Sequence, residues 1–405
     1  MSALFRTTAT NDQLKRGYAN ARSVAVATST RAEWGLLRPF CVALEKLGLE
    51  VRVVATGTHL SHAFGDTWRA IEEDGFSIDE RIPILVDSDD ALGESKTMSL
   101  ALAGTAAYLN RLRPDALLLL GDRYEMLAIA EAAFLLHIPI IHVHGGEVTE
   151  GAADDAIRHC ITKLSSLHLT CTEEYRNRVI QLGEDPSTVY NVGAVGVENA
   201  LSLSLLTRSQ LLDDLGLEDI GPFVVMTYHP VTLGTGDSVV ELDIVLDALT
   251  SSGYDIIATK ANADAGGRSI NARLDERAAQ DARLHVFTSL GSLRYLSAVR
   301  EAVAVVGNSS SGILEAPALA TPVVNIGNRQ RGRIRPQGVI DVALDEVAIR
   351  MALCTATSPE FITNMISAPN PYGNGRTSQK AATIIREALN RGFPAAKAFY
   401  DIVLN

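Results

Sequence analysis

The feature that most narrows what this chain can fold into is an alternation, sustained over nearly its whole length. Short β-branched or aliphatic runs take turns with longer segments whose apolar residues fall at helical spacing. Ser23–Ala27 reads as a strand, Trp34–Leu47 as a helix and Glu50–Ala55 as the next strand. The rhythm continues with helix Thr97–Leu112, strand Ala116–Leu120, helix Tyr124–Leu136, strand Ile140–His144, helix Asp155–Ser165, strand Leu167–Cys171 and helix Glu173–Leu182. Parallel strands need crossover helices, so the pattern predicts an α/β fold with a doubly wound, Rossmann-like sheet covered on both faces.

After Val189–Gly196 the periodicity weakens across Glu198–Thr207, where a hinge is expected, and restarts at Phe223–Tyr228. Helix Ser238–Ser251, strand Asp255–Thr259, helix Ile270–Gln280, strand Leu284–Phe287, helix Ser292–Ala302, strand Ala304–Val306, helix Ile313–Ala320 and strand Val323–Ile326 make a second doubly wound domain. Helices Asp345–Cys354 and Ser378–Arg391 close the chain. The expected division is an N-terminal extension over 1–22, a first domain over 23–200, a second over 201–380, and a terminal helix and tail over 381–405 able to pack back on the first domain. Two such domains leave a cleft at the carboxyl ends of both sheets, the edge at which open α/β sheets bind ligands.

Composition supports this division. At 405 residues the chain is long for one domain, and 47% hydrophobic with 21% charged residues supplies sizeable aliphatic cores. Net charge is -12, which opposes nucleic acid as a partner, so an anionic ligand needs a local site. Cys41, Cys160, Cys171 and Cys354 form no Cys-x-x-Cys pair, and a reducing cytosol suits them. Met1–Asn20 is polar without an apolar signal core, and no apolar run nears the roughly 18 residues that span a bilayer. A cytoplasmic protein with no membrane partner is expected.

Strand Ala304–Val306 runs into Gly307-Asn308-Ser309-Ser310-Ser311-Gly312, with Glu315 one turn beyond. Glycines allow close backbone approach and serines add donors, so the run outlines a phosphate cradle; a plain helix cap is the competing reading. Glu315 is the discriminating residue, because a carboxylate behind a phosphate site can accept two bonds from a ribose diol. Strand Phe223–Tyr228 ends in His229-Pro230-Val231-Thr232, with Gly234 and Gly236 beyond, and places His229 at the same edge. It either donates to a phosphate or acts as an acid, or is a histidine held by a turn proline. Arg31 follows the first strand and is either a diphosphate clamp or a surface arginine.

The densest polar region lies between Leu120 and His159. Asp122, in Gly121-Asp122-Arg123-Tyr124-Glu125, follows a wholly apolar strand and either caps the next helix or faces substrate. The next strand ends in His142-Val143-His144-Gly145-Gly146-Glu147, and Asp154-Asp155-Ala156-Ile157-Arg158-His159 opens a helix. Asp155 with His159 and Asp154 with Arg158 are four apart and can pair, while acids in a first turn also complement the helix dipole. So many ionisable groups after buried strands favour acid–base chemistry. His142, His144, His159 and Cys160 lack any recognised metal-ligand spacing, so no metal is expected. Walker A, G-x-G-x-x-G and G-x-S-x-G patterns are absent, and ATPase, dehydrogenase and serine hydrolase lose support.

Together these motifs resemble the hydrolysing UDP-N-acetylglucosamine 2-epimerases of sialic acid biosynthesis and their bacterial relatives, over about Ser23 to Arg391. The likeness is carried by Thr-Arg-Ala-Glu-Trp (30–34), Gly-Thr-His-Leu-Ser (57–61), Gly-Asp-Arg-Tyr-Glu (121–125) and His-Gly-Gly-Glu-Val-Thr-Glu-Gly (144–151). Asp-Asp-Ala-Ile-Arg-His (154–159), Tyr-His-Pro-Val-Thr (228–232) and Gly-Asn-Ser-Ser-Ser-Gly (307–312) with Glu315 complete it. The resemblance implies a GT-B-like two-domain fold. It also implies that Ser309, Ser310, Arg31 and His229 hold a diphosphate, Glu315 the ribose, and Arg329 a further nucleotide contact. Asp122 and Asp154 match acids used for chemistry. A third acid, a glutamate in several members, falls here on His144, leaving its proton task open between His144 and Glu147.

The reaction so implied eliminates UDP and the C2 proton to give a 2-acetamidoglycal, then adds water with protonation of the opposite face, and requires no cofactor. UDP-N-acetylglucosamine is the expected substrate, with N-acetylmannosamine and UDP as products. The alternatives are the same chemistry on UDP-N,N'-diacetylbacillosamine, leading towards legionaminic acid, and a nucleotide-sugar sensor without turnover. A homodimer or homotetramer is expected, as relatives form both and helices Thr97–Leu112 and Tyr124–Leu136 carry apolar surface.

Overall fold

The structure is a computed structural model and describes residues 21–86, 91–149, 153–218, 220–230, 237–261, 267–394 and 396–402. The expected extension over 1–22, apart from its last two residues, lies outside the described residues, as do Glu150, Gly151, Val231, Thr232, Gly234 and Gly236 of the motifs.

The described chain forms two compact units. The first holds the residues up to Glu147, those from 153 to Val192 and those from Arg376 onward; the second holds Gly193–Gly375 with Val148 and Thr149. In the first unit, β1 (Ser23–Thr28), β2 (Glu50–Thr56), β3 (Ile78–Ile82), β4 (Ala116–Leu120), β5 (Ile140–Val143), β6 (Leu167–Thr170) and β7 (Val189–Asn191) form one sheet in the order β3-β2-β1-β4-β5-β6-β7. Every strand pair is parallel. The chain starts in the middle, winds outward, then returns across β1 to continue the other way, so the strand order reverses between β1 and β4.

The second unit repeats this plan with β8 (Phe223–Thr227), β9 (Asp255–Thr259), β10 (Leu284–Phe287), β11 (Ala304–Gly307), β12 (Val323–Ile326) and β13 (Val339–Val342), ordered β10-β9-β8-β11-β12-β13. Its switch point lies between β8 and β11, which pair in register from Ala304 with Val224 to Gly307 with Thr227. Side chains alternate across the sheet. Val224 and Met226 pack with Leu242 and Leu246 on one face, whereas Phe223 and Val225 pack with Leu211 and Val299 on the other. Each such aliphatic side chain taken out of water stabilises the fold by about 1.5–3 kcal/mol before entropy is counted.

Several expectations are corrected. The helix predicted over Ile313–Ala320 is a single turn, Ser311–Leu314, followed by a 3-10 turn at Pro317–Leu319, because Pro317 has no N–H to continue an α-helix. The stretch Glu198–Thr207, expected as a hinge, begins inside helix Val195–Ser202 and ends at the cap of a second helix, Arg208–Leu215. The second of these begins with a capping box in which Thr207 and Gln210 satisfy each other's backbone N–H. Strands β3 and β13 and helix Pro359–Ser367 are elements beyond those expected from the sequence. The terminal helix Thr377–Arg391 packs on helix Arg31–Lys46 of the same unit.

Candidate functional site

In the second unit, both strands at the switch point end in polar residues. Asn308, directly after β11, is buried and clamps the end of β8: its Oδ1 accepts from His229 N at 2.7 Å and its Nδ2 donates to His229 O at 2.8 Å. The Asn308 carbonyl in turn accepts from Arg329 (3.2 Å) and Gln330 (3.0 Å). His229 and Arg329 are therefore both held by Asn308, one through its side-chain amide and the other through its carbonyl, next to the serine run, a hub that sequence reading missed. Gly307 makes this approach feasible: its φ is +145°, and a Cβ there would overlap the Thr227 carbonyl.

Ser310 occupies the cap position of the turn Ser311–Leu314, yet its hydroxyl caps nothing. The helix-cap reading of the serine run therefore does not apply to its side chain. Ser311 Oγ donates to the Glu315 carboxylate, and burial raises the Glu315 pKa against that bond. Gly196 lies alongside, where an added Cβ would sit 3.3 Å from Glu315 Oε1.

In the first unit, the acids predicted from sequence lie on loops after β4 and β5 and on helix Ala153–Leu164. Arg158 ties them together. Its side chain, only 2% exposed, pairs with Asp122, reaches Asp155 at 3.1 Å and donates to the Glu147 carbonyl at 2.8 Å. The spacing had suggested Arg158 with Asp154; burial turns the guanidinium instead towards Asp122. Asp155 and His159 do meet, at 3.6 Å. Asp154 is accessible at the surface, but desolvation by the surrounding protein, then the charge of Asp122, raises its pKa, while Arg123 and Arg158 oppose the rise.

His144 adopts a left-handed backbone, φ +68°, and with Gly146 at φ +79° turns the chain back so that His144 Nδ1 lies 2.8 Å from Glu147 Oε1. Cys171, after β6, donates its thiol to the same oxygen at 3.1 Å. His144, Glu147 and Cys171 are the donor group close enough to share a metal ion among the described residues, rather than the histidine and cysteine set considered from sequence. His142 in particular is satisfied and structural: Nε2 lies 2.8 Å from the Gly121 carbonyl and Nδ1 3.1 Å from Thr162 Oγ1. Burial lowers its pKa to about 3, so the ring is neutral and braces the turn that carries Asp122.

Arg31 opens helix Arg31–Lys46 at the end of β1 and is exposed. It belongs to the first unit, whereas His229, Ser309, Ser310, Glu315 and Arg329 belong to the second. Sequence reading also missed a buried group beside Arg31: Ser29 joins Glu33 and Glu125, and Arg123 lies on Glu125 at 2.6 Å. The signal available was two glutamates at fixed offsets from two strand ends.

Each unit thus gathers chemistry at the carboxyl edge of its own sheet, and residues 43–386 match the family model described as UDP-N-acetylglucosamine 2-epimerase. The chain belongs to that family. Among similar proteins, the GDP/UDP-N,N'-diacetylbacillosamine 2-epimerase (hydrolyzing) of Campylobacter jejuni is 40% identical over 80% of this chain and 85% of its own. Polysialic acid biosynthesis protein P7 of Escherichia coli is 36% identical over 94% and 98% of the two chains. The UDP-N-acetylglucosamine 2-epimerase of Neisseria meningitidis is 28% identical over 95% and 100%. Among solved structures, a UDP-GlcNAc 2-epimerase from Neisseria meningitidis bound to UDP-GlcNAc superposes with a TM-score of 0.77 at 18% identity, covering 90% of this chain and all of that one. That likeness places this epimerase-family chain in the GT-B-like fold class. No described helix is long and apolar enough to cross a membrane.

Proposed function

We propose that the protein is a hydrolysing 2-epimerase of UDP-2-acetamido sugars, acting on UDP-N-acetylglucosamine to release N-acetylmannosamine and UDP. The observation that carries this is the acid cluster of Asp122, His144, Glu147 and Asp154 at the carboxyl edge of a sheet, in a chain of the epimerase family. The elimination breaks the C1–O and C2–H bonds, and the electron pair of C2–H becomes the C1–C2 double bond of the glycal. Water then supplies hydroxyl to C1 and a proton to the opposite face of C2. A base must take an unactivated proton, an acid must return one, and carboxylates must face the cationic ring.

In this reading Asp122 and Asp154 act on the hexose, and the His144–Glu147 pair handles one of the two proton transfers. Its 2.8 Å contact lets a proton pass between the two side chains, so either can present it to the sugar. The second unit is the UDP side: Ser309 and Ser310 offer hydroxyls to the diphosphate, His229 donates to it as it departs, Arg329 adds charge and Glu315 takes the ribose. Arg31 is assigned a cationic contact to the diphosphate. The reaction needs no cofactor. A cytoplasmic homodimer or homotetramer is the setting that fits a biosynthetic enzyme on a sugar nucleotide.

A second substrate has specific support, since the 40% identical relative acts by its name on N,N'-diacetylbacillosamine nucleotides. Incubation with UDP-N-acetylglucosamine and with UDP-N,N'-diacetylbacillosamine, followed by mass analysis of the released sugar, decides between them. Tight binding of either with no free UDP would instead favour a sensor.

A further inference from the structure

We propose that Glu33, Ser29 and Glu125 form a buried relay holding one shared proton, and that the relay positions Arg123 against the acid cluster, making Glu33 and Glu125 positioning residues for the reaction. The positioning role rests on the function proposed above; the relay itself does not.

The argument is a count of protons. Ser29 Oγ lies 2.9 and 3.1 Å from the two oxygens of Glu33 and 2.8 Å from Glu125 Oε1, yet it carries a single hydrogen. Glu33 and Glu125 are 7% and 2% exposed, so water does not fill the deficit. With both carboxylates ionised, a hydroxyl oxygen and carboxylate oxygens would face each other with no proton between them, at a cost that a buried site does not tolerate. One added proton resolves it. Glu33 Oε2 already accepts the backbone N–H of Ser29 at 2.7 Å and of Thr30 at 3.2 Å, so the proton belongs on Oε1. The chain then runs one way: Glu33 Oε1–H donates to Ser29 Oγ, Ser29 Oγ–H donates to Glu125 Oε1, and Arg123 Nε–H donates to that oxygen from the other side.

Position assigns the proton to Glu33, because Arg123 Nε lies 2.6 Å from Glu125 but 4.0 Å from Glu33. Burial, with Glu125 adding to it, raises the Glu33 pKa to about 7, against the pull of the Ser29 N–H and of Arg123. The charged groups that face Glu33 are Glu125 and Arg123; those that face Arg123 are Glu125, Glu33, Asp154 and the ring of Tyr124, 5.8 Å away. Arg123 therefore stands between the relay and Asp154, whose ionisation it favours. Loss of the Glu33 proton to solvent at high pH leaves a second carboxylate competing for the same guanidinium.

The test uses the full-length protein and two readouts. Infrared titration without substrate should show a protonated carboxylic acid that disappears as pH rises through about 7. Glu33→Gln should remove that band, and Glu125→Gln should move its midpoint to lower pH, since Glu125 adds to the raised value. The band's absence from the wild type, or its survival unchanged in both variants, would overturn the relay. With UDP-sugar, wild-type kcat should fall about tenfold on the alkaline side with KM little changed, while Glu33→Gln holds kcat level across the same range. An alkaline fall identical in Glu33→Gln would overturn the positioning role. If no UDP-sugar is turned over at all, the proposed reaction fails together with the positioning role, while the infrared titration still decides the relay.

Discussion

At the scale of single residues, the buried guanidinium of Arg158 explains why the acids of the first unit are more than a list of polar side chains. It is shared among Asp122, Asp155 and the Glu147 carbonyl, so the loops after β4 and β5 are fixed to helix Ala153–Leu164 by one cation. Asp122→Asn keeps an acceptor oxygen for Arg158 but removes the charge. Turnover is expected to fall about 10²- to 10⁴-fold while UDP binding, measured by calorimetry, changes little. Asp154→Asn should behave likewise. Glu315→Ala should do the reverse, raising the dissociation constant for UDP by roughly tenfold or more through loss of a charge-assisted contact. Arg158→Met is expected to cost about 3 kcal/mol in urea unfolding, since it strips the partner from Asp122 and Asp155 inside the cluster.

The placement of Asp122 and the serine run was legible in the sequence because they follow apolar runs that declare where strands end, and that of Asp154 because acids open the helix it belongs to. Asn308 was not, since its role is to join two strands 79 residues apart and nothing local marks it. Glu33 was hidden for a different reason. It looks like the ordinary third residue of a capping box, and it is one, bonding with Thr30; only the fold brings Glu125 alongside.

Elements of secondary structure were easiest to read where strands are buried on both faces, as at β4, whose five residues are all buried. Edge strands were harder. In β3 the sequence Ile-Asp-Glu-Arg-Ile alternates half-buried and exposed positions with only Ile82 buried, and its charges pair with neighbours as Arg52 does with Asp79. The helix break at Pro317 was visible in the sequence but overridden by its apolar spacing. Among connecting elements, the C-terminal segment is pinned to the first unit by Glu184. This fully buried carboxylate accepts from Lys163 and Lys397, both at 2.7 Å, and lies 3.0 Å from His168. Tyr400 N bonds Gly183 O, and the Phe399 ring lies over Lys163.

Burial pushes the Glu184 pKa up, but His168 and the two lysines more than offset this and hold it at about 2, below its ordinary 4.5. A depressed carboxylate contributes stability that is complete above 4.5 and lost as pH falls towards 2. Hydrogen exchange of residues 396–402 is therefore expected to rise as pH drops through this window after correction for intrinsic rates. Glu184→Gln should show the same exposure already at neutral pH. Protection that stays unchanged in Glu184→Gln would contradict the clasp.

At the scale of the whole molecule, the same winding occurs twice, and in each unit the residues singled out for function follow the carboxyl ends of strands at or next to the point where strand order reverses. Two copies of one architecture carry different side chains at these edges: several carboxylates, imidazoles and a buried guanidinium in the first, serine hydroxyls, a buried asparagine, His229 and Glu315 in the second. Doubly wound topology was legible from periodicity alone, because each strand and its crossover helix obey different repeats. The return of residues from Arg376 onward to the first unit was legible only as an option, since a helix's apolar face does not say which surface it covers.

The central claim is that this chain breaks the C1–O and C2–H bonds of a UDP-sugar and lets water complete the epimer. Turnover of UDP-N-acetylglucosamine in deuterated water, followed by mass and NMR analysis of the products, tests it most directly. The expected result is free UDP with N-acetylmannosamine carrying one deuterium at C2. Release of the free sugar without deuterium at C2, or recovery of the intact sugar nucleotide after incubation with each candidate UDP-sugar, would contradict it.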